Sequence, residues 1–501
     1  MRSGDTQSFQ EVAALDMGSN SFHLVVARLD NGSVKVVDRV RETVRLAAGL
    51  DEQGRLTAEA EANALVSLER LGQRLRELPT GSVRAVGTNT LRQARNSADF
   101  LRRASAALGH EVEVISGYEE ARLIYLGVAH SIADDGGQRL VVDIGGGSTE
   151  FILGRGFEPE LMESLHMGCV SLTNTYFPDG GITKKRMQKA VLAAQRELEP
   201  VREGFVRRGW QRVLGSSGTI KAIDSVLDAD SHSREGITRD GLKTLRKSVI
   251  NAGSIEKLSL KGLSERRAQV LPGGLAVLSG AFEALGIERM EYADGALREG
   301  ALYDLLGRIR HEDVRARTVA AMASRHHVDW TQVESVRATA LGLLEQVREP
   351  WGLTDELNDR LLSWAAELHE IGLDISHSGY HKHGAYIVSY ADMAGFSREE
   401  QRLLAALVRS HRRKFRNKAF DELPGDWAQA GRRLALLLRL AVVLRRGRNE
   451  QSLPTITLSV DDARMRLDFP AGWLDEHPLA VADLEEEHSF LRAAGLALEF
   501  A

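Results

Sequence analysis

Two short stretches of the chain place an aspartate before a glycine-containing turn, between apolar runs. Asp143 ends a β-branched run and precedes a triple glycine, and Asp16 holds the same position after an earlier apolar run. Glycines in a tight turn let the backbone approach a ligand and present N–H donors in a nest that favours anions. The turns are therefore predicted to bind phosphate, through Gly18, Ser19, Asn20, Ser21, Gly145, Gly146, Gly147 and Ser148.

The repetition of this motif strengthens the prediction, because a glycine-rich hairpin alone is usually only structural. The two copies lie about one domain length apart. Two equivalent half-sites that face one another would form a cleft that grips phosphate from both sides.

The same stretches offer carboxylates for a divalent cation. Asp143 is the best candidate ligand, with Asp16 and Glu150 as further candidates that act through water. Mg²⁺ keeps several waters and uses one or two carboxylates, so it fits this sparse set better than Ca²⁺. Alternatively, Glu150 is only a solvated carboxylate of the hairpin and binds no cation.

Further polar residues open predicted helices or follow predicted strands. Glu119 and Glu120 begin a helix, where acidic residues usually only complement the helix dipole. Arg92 follows a Thr-rich turn, where its guanidinium could bind phosphate oxygens or simply be solvated. Ser217 and Gly218 lie in a small-residue turn that opens another helix, and they could bind a phosphate or only pack the turn.

The predicted elements that position these residues alternate between strand and helix. Periodicity predicts three strands from Val12 to about Val40, joined in part by a turn at 30–32, then helices over 57–78, 96–108 and 117–130 with strands at 82–86 and 111–115. After a polar joint at 134–137, the plan repeats: a hairpin, a helix over 183–208, a strand at 212–214, a helix from about 215, a strand at 290–293 and a helix from 294 to about 306. This alternation predicts an α/β layer fold.

The second part of the chain has a different pattern. From His311 to about Arg448 the apolar spacing is almost entirely helical, and strands at 455–460 and 465–469 predict a small α/β cap. The predicted domains are thus residues 1–132 and 133–309, which repeat one another, then a helical domain at 310–450 and a cap at 451–501.

Composition restricts the class of protein. The chain has 501 residues, of which 43% are hydrophobic and 27% charged, as in soluble globular proteins, and its net charge of −5 argues against a nucleic-acid binder. The segment 1–10 lacks the apolar core of a signal peptide, and the run Leu434–Leu444 is interrupted by Arg439 and too short to span a bilayer. The single cysteine, Cys169, is expected to be a buried small side chain and suits a reducing compartment. We expect a cytoplasmic protein without a transmembrane segment; peripheral membrane association stays open.

Six motifs in the first three hundred residues together resemble the exopolyphosphatase/guanosine pentaphosphate phosphatase family: 16–23, 87–92, 115–122, 143–150, 215–219 and 294–300. The resemblance implies duplicated actin-like domains, of the ribonuclease H-like superfold that sugar kinases and heat-shock ATPases share. The remaining residues have the length of the family's long form.

The resemblance also implies roles. The family's water-activating glutamate directly precedes Ala-Arg, which is Glu120 here, and Arg92 would stabilise charge on the substrate. The implied reaction is Mg²⁺-dependent, processive removal of terminal phosphate from inorganic polyphosphate, with a monovalent cation such as K⁺ as a further option. The alternative in the same family is hydrolysis of guanosine pentaphosphate to the tetraphosphate, or both reactions.

Two alternatives come from other functional classes. An ATP-dependent kinase of the actin-like superfold would be expected to carry a sugar-site signature, and the sequence contains none. A non-catalytic polyphosphate sensor would not need Glu120, Asp143 and Arg92 together. We therefore expect a hydrolase.

The helical region resembles the family's HD-like module that has lost its metal, because Glu370 stands where a His-Asp pair would have its aspartate. A cationic and histidine-rich set nearby predicts a channel for polyphosphate, although such a run is usually a solvated face: His377, His381, Lys382, His383, Arg409, His411, Arg412, Arg413 and Lys414. Long-form members commonly pair through this half, so the resemblance also implies a homodimer.

Overall fold

The computed structural model describes residues 11–30, 33–132, 136–230, 236–309, 313–423, 425–448, 453–461 and 464–501. The chain divides into two compact units, Met1–Glu312 and Asp313–Ala501, called unit 1 and unit 2 below. Across these described ranges, no helix is both long enough and apolar enough to cross a membrane.

Unit 1 contains two sheets of matching topology. The first has the order β3-β2-β1-β4-β5, and the second has the order β10-β11-β9-β6-β7-β8. The strands are β1 (Glu11–Met17), β2 (Ser21–Asp30), β3 (Ser33–Thr43), β4 (Val83–Gly87), β5 (Val112–Val114), β6 (Gln138–Ile144), β7 (Thr149–Arg155), β8 (Glu158–Leu165), β9 (Arg212–Ser216), β10 (Ile237–Thr238) and β11 (Arg289–Tyr292).

The pairing pattern establishes the duplication. In each sheet a three-stranded antiparallel meander leads through its first strand into two parallel strands, so β1, β2, β3, β4 and β5 correspond to β6, β7, β8, β9 and β11. The strand β10 adds an antiparallel edge to the second sheet only. The predicted α/β fold of two actin-like repeats is confirmed.

Eleven α-helices connect and cover the sheets in the described part of unit 1. Side-chain caps mark several of their starts: Thr57, Ser116 and Thr183 each accept a hydrogen bond from a backbone N–H in the first turn. The helices are α1 (Ala58–Leu75), α2 (Asn89–Gln93), α3 (Ser97–Leu108), α4 (Gly117–Ser131), α5 (Cys169–Tyr176), α6 (Lys184–Arg208), α7 (Ser217–Asp230), α8 (Arg239–Ala252), α9 (Glu265–Ala268), α10 (Leu271–Leu285) and α11 (Leu297–Ile309).

One apolar core joins the two repeats. Val12 and Val25 of the first sheet, Val141 and Ile152 of the second, and the apolar residues of α4 and α11 belong to a single buried cluster. Each sheet carries another buried cluster on its opposite face. The helices α4 and α11 therefore form the layer between the repeats.

The helices α4 and α11 touch through their backbones. A Cβ added to Gly300 would lie 1.7 Å from the Leu123 carbonyl oxygen, and one added to Gly127 would lie 2.1 Å from the Ala296 carbonyl oxygen. Only glycine permits this approach.

A buried ionic network also lies at the contact between α4 and α11. Arg122 of α4 donates to Glu119 through Nε at 2.7 Å and also pairs with Asp304 of α11, which Arg84 of β4 and Arg308 contact as well. Because Glu119 is fully buried, its partners are needed to offset the cost of desolvating its charge.

Unit 2 is mainly helical, as predicted, with a small sheet at its C-terminal end. Its apolar core is separate from those of unit 1 and includes residues of the small sheet. The elements are α12 (Val314–Arg325), α13 (Trp330–Val347), α14 (Glu356–Leu368), α15 (Tyr380–Tyr390), α16 (Arg398–Ser410), α17 (Lys418–Asp421), α18 (Gly425–Leu444), β12 (Thr457–Asp461), β13 (Arg464–Asp468), α19 (Trp473–Glu476), α20 (Pro478–Arg492) and β14 (Ala497–Phe500).

Several predicted features lie outside the described residues. The segment 1–10, the centre of the turn at 30–32 and the start of the joint at 134–137 belong there, as do residues beside each predicted domain boundary. The division into four domains stays a prediction.

One predicted helix start is wrong. The helix expected from Asp294 begins at Leu297, because Asp294 instead accepts a hydrogen bond from Tyr292 and pairs with Lys221. Gly295 also packs against the Gly127 carbonyl oxygen, 2.1 Å from where its Cβ would lie. These residues form a connection rather than a first turn.

Candidate active site

The cleft of unit 1 lies where the central strands of the two repeats end. Asp16 pairs in register with His23 across β1 and β2, and Asp143 pairs with Glu150 across β6 and β7. Both aspartates thus occupy the matching position next to a hairpin turn. The cleft has a volume of about 180 Å³ and is lined by residues of both turns.

Most of the predicted phosphate-binding residues line this cleft. They come from both repeats and from the start of α7, and they are joined by Asp16, Asp143 and Glu120: Gly18, Ser19, Asn20, Ser21, Gly145, Gly146, Ser148, Ser217 and Gly218. The structure therefore brings residues of all six motifs into one cavity.

Three predicted residues lie outside the cleft lining. A Cβ on Gly147 would lie 2.1 Å from Asn89 Nδ2, so packing against Asn89 explains this glycine. Glu150 is 1% exposed and accepts a hydrogen bond from Ser164 Oγ at 2.9 Å. Glu150 is therefore not a solvated hairpin carboxylate, which was the alternative interpretation of this residue. The third residue is Arg92.

Arg92 contacts Glu120 rather than facing the cleft. Its Nη1 donates to Glu120 Oε2 at 2.7 Å and to the Ile115 carbonyl oxygen at 3.0 Å. The Ser116 hydroxyl, which accepts from the Glu119 N–H, fixes the start of α4. Glu119 points into the buried ionic network, whereas the neighbouring Glu120 lines the cleft. Each of the two adjacent carboxylates thus has its own surroundings.

The cleft carboxylates repel one another in a poorly solvated site. Removal from water is the main cause that raises the pKa of Asp16 to about 8, and the negative charges of Glu120 and Asp143 add to it. Removal from water likewise raises the pKa of Asp143 to about 7, against a hydrogen bond from Ser216 that lowers it. The pKa of Glu150 is raised well above its usual value for the same reason.

This donor set fits a divalent cation that is held mainly by water and phosphate. Asp16 Oδ1 is buried and has no hydrogen-bond partner. Among the described residues, no group of three or more His, Cys, Asp or Glu side chains is arranged to hold a metal by itself. Mg²⁺ binds through one or two carboxylates plus waters and substrate phosphates, so the residues present fit it.

The cleft also contains cations that the sequence analysis missed. Arg41, Arg267 and Arg298 all line it. A Cβ on Gly218 would lie 1.7 Å from Arg267 Nη2, so this glycine makes room for a guanidinium. The 294–300 motif contained Arg298, but nothing in the sequence marks Arg267, which reaches the cleft from the short helix α9.

Ser217 begins α7 in an unusual backbone conformation, with a φ of 85°. This left-handed region is rare for residues other than glycine. Cys169, expected to be a buried small side chain, is 4% exposed and lines the cleft.

The predicted polyphosphate residues of unit 2 separate into two groups. His381 and His411 are buried, and desolvation lowers the pKa of His381 to about 4 and that of His411 well below its usual value, so both are neutral near pH 7. The remaining residues are exposed or half-buried: His377, Lys382, His383, Arg409, Arg412, Arg413 and Lys414.

Two family models match the chain. Residues 25–309 match the Ppx/GppA phosphatase family, and residues 314–488 match domain III of the Ppx/GppA phosphatases. The chain belongs to the Ppx/GppA phosphatase family. It is therefore a hydrolase, and the predicted class of enzyme, one that acts on phosphoanhydride bonds, is confirmed at the level of the family.

Individual relatives extend the match over nearly the whole chain. A protein of Aeromonas hydrophila named guanosine-5'-triphosphate,3'-diphosphate pyrophosphatase is 40% identical over 475 residues, which are 95% of each chain. A protein of Vibrio vulnificus with the same name is 40% identical over 478 residues, again 95% of each chain.

Solved structures of this family match somewhat more than half of the chain. The Ppx/GppA enzyme of Aquifex aeolicus has a TM-score of 0.50 at 27% identity and covers 58% of this chain and 98% of its own. An exopolyphosphatase of Cytophaga hutchinsonii has a TM-score of 0.54 at 25% identity and covers 60% of this chain and 98% of its own.

Proposed function

We propose that this enzyme hydrolyses the terminal phosphoanhydride bond of the 5'-triphosphate of guanosine pentaphosphate, which yields the tetraphosphate and orthophosphate. The observation that carries the proposal is the name of relatives that are 40% identical over 95% of both chains. On the sequence alone, inorganic polyphosphate is the first expectation and guanosine pentaphosphate the second, whereas these relatives favour the reverse order.

Glu120 is proposed to orient the attacking water. It lines the cleft, and the ion pair with Arg92 holds its carboxylate in one orientation. Water adds to the terminal phosphorus as the bridging P–O bond breaks and the tetraphosphate leaves with the electron pair. Backbone N–H groups of the two turns, with Arg267 and Arg298, would stabilise the charge on the phosphoryl oxygens.

Mg²⁺ is the proposed cofactor, with Asp143 as its carboxylate and Asp16 as a partner through water. When bound, it would neutralise charge between the cleft carboxylates and the substrate phosphates. Because Glu150 does not line the cleft, its contribution would be indirect, through the neighbouring Asp143. A monovalent cation such as K⁺ is a further option beside Mg²⁺.

A phosphate-release assay on the full chain tests the proposed substrate. Guanosine pentaphosphate, long-chain polyphosphate and ATP are compared at equal concentrations of terminal phosphate. We expect the highest kcat/KM for guanosine pentaphosphate, with release of one phosphate and accumulation of the tetraphosphate. A higher kcat/KM for polyphosphate would show that polyphosphate is the preferred substrate instead. A preference for ATP would contradict both substrate assignments.

Processive hydrolysis of inorganic polyphosphate is the second candidate. The similarity to a solved exopolyphosphatase and the exposed cations of unit 2 favour it. The third glycine of the 145–147 turn favours neither substrate, because Gly147 is explained by its contact with Asn89. Replacing the exposed Arg413 and Lys414 by glutamine should weaken long-chain hydrolysis and flatten its salt dependence. Equal losses on guanosine pentaphosphate would contradict a role in chain binding.

We also propose that the protein is a homodimer and that it is cytoplasmic. Sedimentation of the full chain at several concentrations would test the first, and fractionation of cells, with a membrane arm for peripheral association, would test the second.

A further inference from the structure

The first repeat places a histidine where the second repeat places a glutamate. His23 of β2 pairs in register with Asp16 of β1, whereas Glu150 of β7 pairs with Asp143 of β6. Because the two sheets have matching topology, these positions correspond. The duplicated fold thus sets an imidazole beside one cleft aspartate and a carboxylate beside the other.

His23 of the first repeat contacts Arg298 of the second. Both side chains line the cleft, and Arg298 Nη1 lies 3.3 Å from His23 Nδ1. A guanidinium donates hydrogen bonds and cannot accept them, so Nδ1 must be the acceptor. The proton of the neutral imidazole therefore lies on Nε2. The contact between the two repeats thus determines the tautomer of His23.

A second group holds the same guanidinium. Arg298 Nε donates to Glu299 Oε1 at 2.8 Å, and Glu299 Oε2 accepts from the Ala296 N–H at 3.1 Å, at the start of α11. Within the described residues, Nη2 of Arg298 donates to no group. The guanidinium is thus held from two sides, and one of its nitrogens remains available to a phosphate oxygen.

The imidazole is uncharged, and this preserves the charge of its partner. Removal from water lowers the pKa of His23 to about 4, and the positive charges of Arg298, Arg267 and Arg266 add to this effect. A carboxylate at this position would form an ion pair that offsets the charge of Arg298, and it would add a negative charge beside Asp16. A neutral acceptor orients the guanidinium and leaves its charge for the substrate.

We propose that His23 is a positioning residue for hydrolysis, whose Nδ1 holds the Arg298 guanidinium toward the phosphoryl oxygens. Donors that already point at these oxygens stabilise their developing charge without reorganisation. The inference rests on the proposed contact of Arg298 with phosphate. It does not depend on which substrate the enzyme prefers, because guanosine pentaphosphate and polyphosphate end in the same phosphoryl group.

Two substitutions test the proposal, because each imitates one ring nitrogen. The Asn side-chain oxygen can occupy the place of Nδ1, whereas the longer Gln side chain reaches the place of Nε2. His23→Asn should retain most of the wild-type kcat, and His23→Gln should lower kcat by about ten- to a hundredfold with little change in KM. Steady-state phosphate release from guanosine pentaphosphate and from polyphosphate provides the measurement.

A double variant separates positioning from a direct role. If His23 acts through Arg298, adding His23→Gln to Arg298→Gln should cause no further loss, whereas independent effects would multiply. His110→Gln is the control, since His110 is also half-buried and its Nε2 lies 3.2 Å from the Leu75 carbonyl oxygen, outside the cleft lining. This variant should leave kcat and KM unchanged.

Three results would overturn the proposal. The first is a wild-type kcat in His23→Gln, and the second is a multiplied loss in the double variant. The third is a large loss in His23→Asn at an unchanged melting temperature, which remains decisive even if His23→Gln fails to fold. A preference for polyphosphate would overturn only the proposed substrate, because the order of the variants would stay the same on both substrates.

Discussion

At the scale of single residues, Glu120 is set apart from Glu119 by what surrounds each of them. Glu120→Gln should lower kcat by roughly 10²–10⁴-fold with little change in KM, because the amide can no longer orient and accept from water. Steady-state kinetics on guanosine pentaphosphate would measure this. The fold should persist, since Gln can still accept a hydrogen bond from Arg92. A variant that retains more than half of the wild-type kcat would show that another group orients the water.

The raised pKa values of Asp16 and Asp143, about 8 and about 7, predict a pH dependence of stability. A group whose pKa is raised on folding favours the folded state at low pH, and that contribution is lost as the pH rises through the folded value. The melting temperature of the metal-free protein should therefore fall between pH 6 and pH 8.5, by on the order of 3 °C.

Calorimetric melts across this pH range provide the measurement. Asp143→Asn should reduce the fall, because the neutral side chain no longer titrates, and added Mg²⁺ should reduce it in the wild type. A metal-free melting temperature that rises over the same range would contradict this assignment.

Many residues of the cleft can be predicted from the sequence, because they lie in short motifs at strand ends. The turn glycines, Asp16, Asp143 and Glu120 all follow this pattern. The orientation of Arg92 toward Glu120 is not visible, since it depends on how α2 and α4 pack. Arg267 is missed for the same reason: its place in the cleft depends on the tertiary fold.

At the scale of the elements, the contact between α4 and α11 tolerates no side chain. Gly300→Ala would place Cβ 1.7 Å from the Leu123 carbonyl oxygen, so the helices must separate. We expect a loss of roughly 1–3 kcal/mol in the free energy of unfolding, together with lower activity, because the start of each helix borders the cleft. Chemical denaturation would measure the loss.

Gly204→Ala is the control, since it lies within α6 and its Cβ would meet Leu161 at an ordinary 3.5 Å. It should raise stability by about 0.5–1 kcal/mol. If both alanine variants behave alike, the α4–α11 contact is not tight.

Two of the elements that sequence periodicity failed to predict have identifiable causes. α10, Leu271–Leu285, is buried on all sides and contains Pro272 and three glycines, so it shows neither an amphipathic face nor a helix-favouring composition. β8, Glu158–Leu165, is an edge strand rich in glutamate. The helix α1, which buries one apolar face, was predicted to within a few residues.

At the scale of the whole molecule, the apolar cores fall on either side of residue 312. Three clusters belong to unit 1 and one to unit 2. Fragments 1–312 and 313–501 should therefore each fold when produced separately, because neither loses part of a buried cluster. Circular dichroism should show a cooperative melt for each fragment. A fragment that lacks a transition would mean that its core needs the other unit.

Matching helices of the two repeats present opposite charges to the cleft. In the first repeat the helix after the last parallel strand, α4, presents Glu120 to the cleft, and in the second repeat the matching helix, α11, presents Arg298. The helix of one repeat thus carries an anion where the matching helix of the other carries a cation. A row of phosphates looks alike from either end, but these two walls do not, so only one polarity of entry brings the terminal phosphoryl group beside the carboxylate.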